Sequence, residues 1–101
     1  MRLRMIYEFV EKNFVQAIDI EEVARLSNLT VPAFSAYFKK MTHQTFTDFV
    51  NEYRINYAAQ LLLAGKSVAD ACFESGFNNV SYFGRVFKKI KKTQPSQFGM
   101  P

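Results

Sequence analysis

The chain has 101 residues, with 11 phenylalanines, 5 tyrosines and a single cysteine, and 49% of it is hydrophobic. That suits one packed domain and excludes a disordered tail, an internal disulfide and a metal site built on a Cys/His cluster. The net charge of +4 is not evenly spread: residues 1–50 hold six basic and six acidic side chains, residues 51–101 seven basic and three acidic, and five of those seven fall between Arg85 and Lys92. A basic cluster of this kind favours a polyanionic partner, although a solvated lysine face has the same composition.

The first segment, MRLRMIYEFVEKNF, is interrupted by Glu8, Glu11 and Lys12 and so has no signal-peptide core. No apolar run approaches the roughly 18 residues of a membrane span, and a soluble, cytoplasmic protein without membrane contact is expected. Leu3, Ile6, Val10 and Phe14 have helical spacing. A second helix is predicted after Asp19, which with Glu22 makes the Asp-x-x-Glu pattern of a capping box; Ile20, Val23, Ala24 and Leu26 supply its apolar side. Thr30 caps a third helix, with Pro32 in its first turn, where the missing N–H costs nothing, and with Phe34, Tyr37, Phe38 and Met41 as its buried stripe. A long helix runs from Thr45 to about Ala64, with Phe46, Phe49, Val50, Tyr53, Tyr57, Leu61 and Leu62 along one side, and Gly65 ends it.

The pattern then restarts. Ser67 with Asp70 repeats the cap; Val68, Ala71 and Cys72 match Ile20, Val23 and Ala24 at an offset of 48, and Gly76-Phe77 matches Asn28-Leu29. One residue enters the turn, and NVSYFGRVFKK (79–89) then matches TVPAFSAYFKK (30–40) at an offset of 49. Val80, Phe83, Phe87 and Ile90 share the face that Val31, Phe34, Phe38 and Met41 share in the first copy. Pro95 starts a short terminal helix that packs Phe98. Cys72, between Ala71 and Phe73, reads as a buried free thiol. Each copy is a short capped helix, a turn and a longer helix: a helix-turn-helix in outline.

Ser81, Tyr82 and Arg85 leave the apolar face of the second copy, N-terminal to Lys88 and Lys89. A helix fits the DNA major groove, arginine bonds bidentately to guanine O6 and N7, and lysines suit phosphates. The same face also reads as solvated surface. In the first copy Val31, Pro32, Ser35 and Ala36 take the outward places; these offer apolar contact and one hydroxyl, with Lys39 and Lys40 left for phosphates.

These residues give the chain a resemblance to the AraC/XylS family of bacterial transcription regulators. It rests on Arg54-Ile55, Ala58, Leu61-Leu62, Ser67-Val68, Gly76-Phe77, Ser81-Tyr82-Phe83, Arg85, Phe87-Lys88-Lys89, Pro95 and Phe98, and in the first half on Val23-Ala24, Leu26-Ser27, Phe38-Lys39-Lys40 and Phe46. The resemblance implies an all-α, homeodomain-like fold of seven helices, with two helix-turn-helix subdomains (1–44 and 66–101) joined by a long linker helix (45–65). It implies double-stranded DNA as partner, read by two helices in successive major-groove segments about 34 Å apart. Base contacts carry over to Val31, Pro32, Ser35, Ala36, Val80, Ser81, Tyr82 and Arg85, and phosphate contacts to Thr30, Lys39, Lys40, Asn79, Lys88 and Lys89. RNA polymerase and an effector-binding or receiver domain in a longer parent chain are further expected partners; no cofactor is implied.

The chain departs from the family at Ala36, where arginine is common, at His43 and Lys92, where glycine is common after each such helix, and at Cys72, which replaces a common alanine. His43, the only histidine, has no partner set for catalysis or metal binding and reads as a turn residue. Two other function classes stand against this reading. A helical protein-interaction module would use the apolar stripes as docking grooves, but both copies place them as core. An enzyme would need a nucleophile–base pair or a glycine-rich phosphate loop, and the sequence offers neither.

Overall fold

The structure, a computed structural model, describes residues 2–99. Six α-helices follow one another: α1 (Arg2–Asn13), α2 (Ile20–Leu26), α3 (Val31–Thr42), α4 (Phe46–Leu63), α5 (Val68–Glu74) and α6 (Val80–Lys91). The expected seventh helix is instead a single 3-10 turn, Pro95–Gln97. It holds two i→i+3 bonds, Gln97 N–H to Gln94 O and Phe98 N–H to Pro95 O, and the extended backbone of Phe98 stops it. The residues divide into two compact units, the first ending at Val50 and the second beginning at Asn51.

Five caps act where the sequence places polar residues ahead of an apolar run; at α4 Thr45 Oγ1 accepts the Asp48 N–H (3.1 Å). Asp19 Oδ1 accepts the Glu21 N–H (2.9 Å), Thr30 Oγ1 that of Ala33 (3.3 Å), Ser67 Oγ that of Asp70 (3.0 Å) and Asn79 Oδ1 that of Tyr82 (2.8 Å). Each satisfies an N–H that has no partner within its helix.

The repeat extends to the turns. After α2, Leu29 N–H reaches Ala24 O and Asn28 N–H reaches Arg25 O; after α5, Phe77 N–H reaches Cys72 O and Gly76 N–H reaches Phe73 O. These are the paired bonds of a Schellman motif, with Asn28 (φ 59) and Gly76 (φ 105) left-handed at the required place. The longer helices end alike, with His43 N–H on Lys39 O and Lys92 N–H on Lys88 O, and with His43 (φ 63) and Lys92 (φ 65) left-handed. A non-glycine residue there costs about 1 kcal/mol.

The buried aromatic residues explain why that cost is tolerated. In the first unit Ile6, Val10, Val23, Ala24, Phe34, Phe38, Phe46 and Val50 are buried. Phe46 meets Phe34 and Phe38 edge-on, with centroids 5.1 and 5.4 Å apart, and Phe49 meets Phe38 at 5.2 Å. In the second unit Ile55, Ala58, Ala59, Ala71, Cys72, Phe77, Phe83 and Phe87 form one cluster, with Phe98 against Phe87 at 5.3 Å. Removing one buried Phe costs about 3–5 kcal/mol, several times the strain of one left-handed turn.

Several expected core positions differ. Met41 is 50% exposed, because Phe46 and Phe49 close the core over Phe38 and the last turn of α3 runs past it. Leu26 is also exposed, as the last residue of α2 before its Schellman turn. Along α4 no one stripe serves the whole helix: Phe46 and Val50 are buried in the first unit, while Ile55, Ala58 and Ala59, rather than Tyr53 and Tyr57, are buried in the second.

Two substitutions should stabilise the fold. Lys92→Gly relieves the left-handed strain and should raise unfolding free energy by about 0.5–1 kcal/mol. Gly84 lies inside α6, and a Cβ built on it meets no atom within 4 Å; Gly84→Ala should add about 0.5–1 kcal/mol through helix propensity. Urea unfolding followed by circular dichroism measures both.

Candidate nucleic-acid interface

Burial of Phe34 and Phe38 turns Pro32, Ser35, Ala36, Lys39 and Lys40 to solvent on α3, with Val31 half-buried and Thr30 exposed at the cap. On α6, burial of Phe83 and Phe87 exposes Ser81, Tyr82, Arg85, Lys88 and Lys89, with Asn79 at the cap. Val80, expected on the apolar face, is 43% exposed and stands with the outward set, because Phe83 and Phe87 fill the core contact of this helix without it.

Capping does not use up Thr30 or Asn79. Each accepts a backbone N–H through an oxygen, so the Thr30 hydroxyl proton and the Asn79 amide protons remain as donors for a phosphate oxygen. They sit at helix N-termini, where the macrodipole favours an anion. Beneath this end of α6, the Asn79 backbone also hydrogen-bonds the fully buried Cys72; burial pushes that thiol up and outweighs the opposing effect of the bond. Cys72 is thus a buried free thiol within the core cluster of the second unit.

The side chains of α6 are organised beyond their exposure. The Arg85 guanidinium lies 6.0 Å from the Tyr82 ring centroid. The Tyr82 hydroxyl accepts a hydrogen bond from Asn51 Nδ2 at 2.9 Å, and its ring lies 6.0 Å from that of Phe77. Arg54 stands over Phe77 at 5.9 Å, and its partial burial lowers its pKa, an effect opposed by Tyr82. Among the lysines, Lys91 donates to Asn56 Oδ1 at 2.9 Å and so is turned toward α4, while Lys88 and Lys89 stand outward. A shallow concavity of about 390 Å³ runs along the outward face, lined by Val80, Ser81, Gly84, Arg85 and Lys88 of α6 and by Gln94 and Pro95.

The second unit thus brings Val80, Ser81, Tyr82, Arg85 and Lys88 onto one face, and the first presents a smaller, less polar set. Sequence reasoning missed Gly84, Gln94 and Asn51. Gly84 had a signal, since it is the register mate of Ser35. Gln94 and Asn51 had none, because their roles depend on the path of the terminal turn and on a bond spanning 31 residues. Among the described residues, no group of three or more His, Cys, Asp or Glu side chains is placed to hold a metal ion, and no helix is long and apolar enough to cross a membrane.

The helix-turn-helix domain family matches residues 23–100. An uncharacterized HTH-type transcriptional regulator from the cgkA 5' region of Pseudoalteromonas carrageenovora is 37% identical over 90 residues, covering 89% of this chain and 54% of that protein. The virulence regulon transcriptional activator VirF of Yersinia enterocolitica is 32% identical over 93 residues, covering 91% of this chain and 34% of that one. The chain therefore spans about half or a third of the length of these regulators. The crystal structure of a probable AraC family transcriptional regulator from Rhodopseudomonas palustris shares the fold, with a TM-score of 0.88 at 23% identity, over 96% of this chain and 93% of that one. With the family match spanning both helix-turn-helix copies, this chain belongs to the helix-turn-helix family in its AraC/XylS form, as a DNA-binding domain of the transcription-regulator type.

Proposed function

We propose that this domain binds double-stranded DNA sequence-specifically by laying α3 and α6 in successive major-groove segments, with α6 as the main base reader. The observation that carries the reading is the outward face of α6: Arg85 exposed among Ser81, Tyr82 and Val80, with Lys88 and Lys89 one turn further on. Arginine matches the paired acceptors of guanine, whereas the lysines supply charge without sequence information. On α3, Val31, Pro32 and Ala36 suit thymine methyl groups and sugars, Ser35 offers one hydroxyl, and Thr30, Lys39 and Lys40 meet phosphates. Asn79 serves the second helix as Thr30 serves the first.

In this reading the domain works in the cytoplasm as one part of a longer regulator, which adds an effector-binding or receiver domain and meets RNA polymerase at the promoter. The greater length of the related regulators supports this.

Selection of bound sites from a random DNA pool tests the reading directly, and recovery of no preferred sequence at low salt would sink it. Given a selected site, Arg85→Ala should lose about 1–3 kcal/mol of affinity and relax preference at one base pair. Lys88→Ala should weaken all sequences alike and reduce the slope of log affinity against log salt by about 0.9, measured by fluorescence anisotropy over a salt series.

A further inference from the structure

We infer that Asn51, a buried residue of α4 outside the exposed set of α6, positions Arg85 for base reading and acts through Tyr82. The inference rests on the DNA-binding reading above and names a device within it. Asn51 is a polar side chain only 6% exposed, and its amide Nδ2 donates to the Tyr82 hydroxyl at 2.9 Å. That bond anchors the far end of a ring that is otherwise 39% exposed. Phe77 flanks the same ring, with centroids 6.0 Å apart and planes inclined at 55°. Three residues on, Arg85 lays its guanidinium over the ring at 6.0 Å. A continuous chain of contacts therefore runs from a buried amide to a hydroxyl, a ring and a cation.

The chemistry of each link favours positioning over simple packing. A ring face holds a guanidinium without engaging its N–H groups, so the donor fork of Arg85 stays free for the paired acceptors of guanine. An exposed arginine without such support must be ordered when it binds, which weakens affinity; a ring fixed at its hydroxyl lowers that cost. Tyr82 also gains a defined polarity. Having accepted from Asn51, its hydroxyl keeps its own proton to donate to an acceptor on the DNA. The device belongs to α6 alone, since Ala33 and Ala36 occupy the places of Tyr82 and Arg85 in α3.

The test uses a DNA site selected by the unaltered chain and variants of that site at the base pair where Arg85→Ala relaxes preference. Tyr82→Phe keeps the ring and removes the hydroxyl; Asn51→Leu keeps approximate volume and removes the amide. Each should lower discrimination at that base pair about two- to fivefold, the size of one exposed cation–π contact. The double variant should lose no more than either single one, and in an Arg85→Ala background neither change should alter discrimination there. A purely structural Asn51 would lower the melting temperature and leave discrimination unchanged, and that result overturns the inference. Should Asn51→Leu fail to fold, Tyr82→Phe with and without Arg85→Ala decides alone: unchanged discrimination, or an equal loss in both backgrounds, overturns it. If the unaltered chain selects no site, the DNA-binding reading fails and takes this inference with it; if it selects a site that Tyr82→Phe reads equally well, the inference alone fails.

Discussion

Each of the two longer helix-turn-helix helices has twelve residues and must bury two phenylalanines four residues apart, Phe34 with Phe38 in α3 and Phe83 with Phe87 in α6. All four side chains are fully buried. Side chains at i and i+4 project from one face, so this single requirement fixes the rotation of each helix about its axis. Everything else on the helix follows from that rotation. The residue midway between the two phenylalanines, two positions from each, is forced outward: Ala36 in α3 and Arg85 in α6. The core thus selects which residues are available to a ligand before any ligand is present. The aromatic neighbours Phe46, Phe49, Phe77 and Phe98 lock the choice by packing edge-on against the pairs.

The turns follow from the same constraint. For each pair to reach its core, the chain must reverse within a few residues after α2 and α5, and both reversals use the same Schellman bonds with one left-handed residue. The residue types there differ, Asn28 in one copy and Gly76 in the other, yet the conformation is shared. The same holds after the longer helices, where His43 and Lys92 take the left-handed region without being glycine. Backbone geometry is more uniform between the copies than sequence is, because about 1 kcal/mol of local strain is small against the burial it permits.

This balance also sets what the sequence alone discloses. The internal repeat, the caps at Thr30 and Ser67 and the burial of the phenylalanine pairs were all legible, since each depends on local chemistry or on a 3.6-residue period. The outward placement of Arg85 was legible for the same reason. Met41 and Leu26 were not: periodicity places them on an apolar side but does not say where the core ends. The buried residues of α4 were misread as one continuous stripe because one period was applied to a helix that contributes to two units in turn. The Asn51–Tyr82 and Lys91–Asn56 bonds were beyond reach, since they join residues 31 and 35 positions apart that carry no mutual pattern.

The two copies therefore share a scaffold and differ in what that scaffold displays. At the places of Tyr82, Gly84 and Arg85, α3 has Ala33, Ser35 and Ala36. Replacing a large aromatic and a cation by two alanines leaves the phenylalanine pair, the cap and the terminal lysines untouched, so the first copy keeps its fold and its charge while losing its strongest directional donor. Affinity from phosphates and discrimination from base edges are separate terms in DNA recognition. A domain with two copies of one motif has room to distribute them unequally. Here the lysine pairs Lys39-Lys40 and Lys88-Lys89 repeat, whereas the guanidinium and the ring beneath it occur once, in the unit where a buried amide from α4 reaches the ring's hydroxyl.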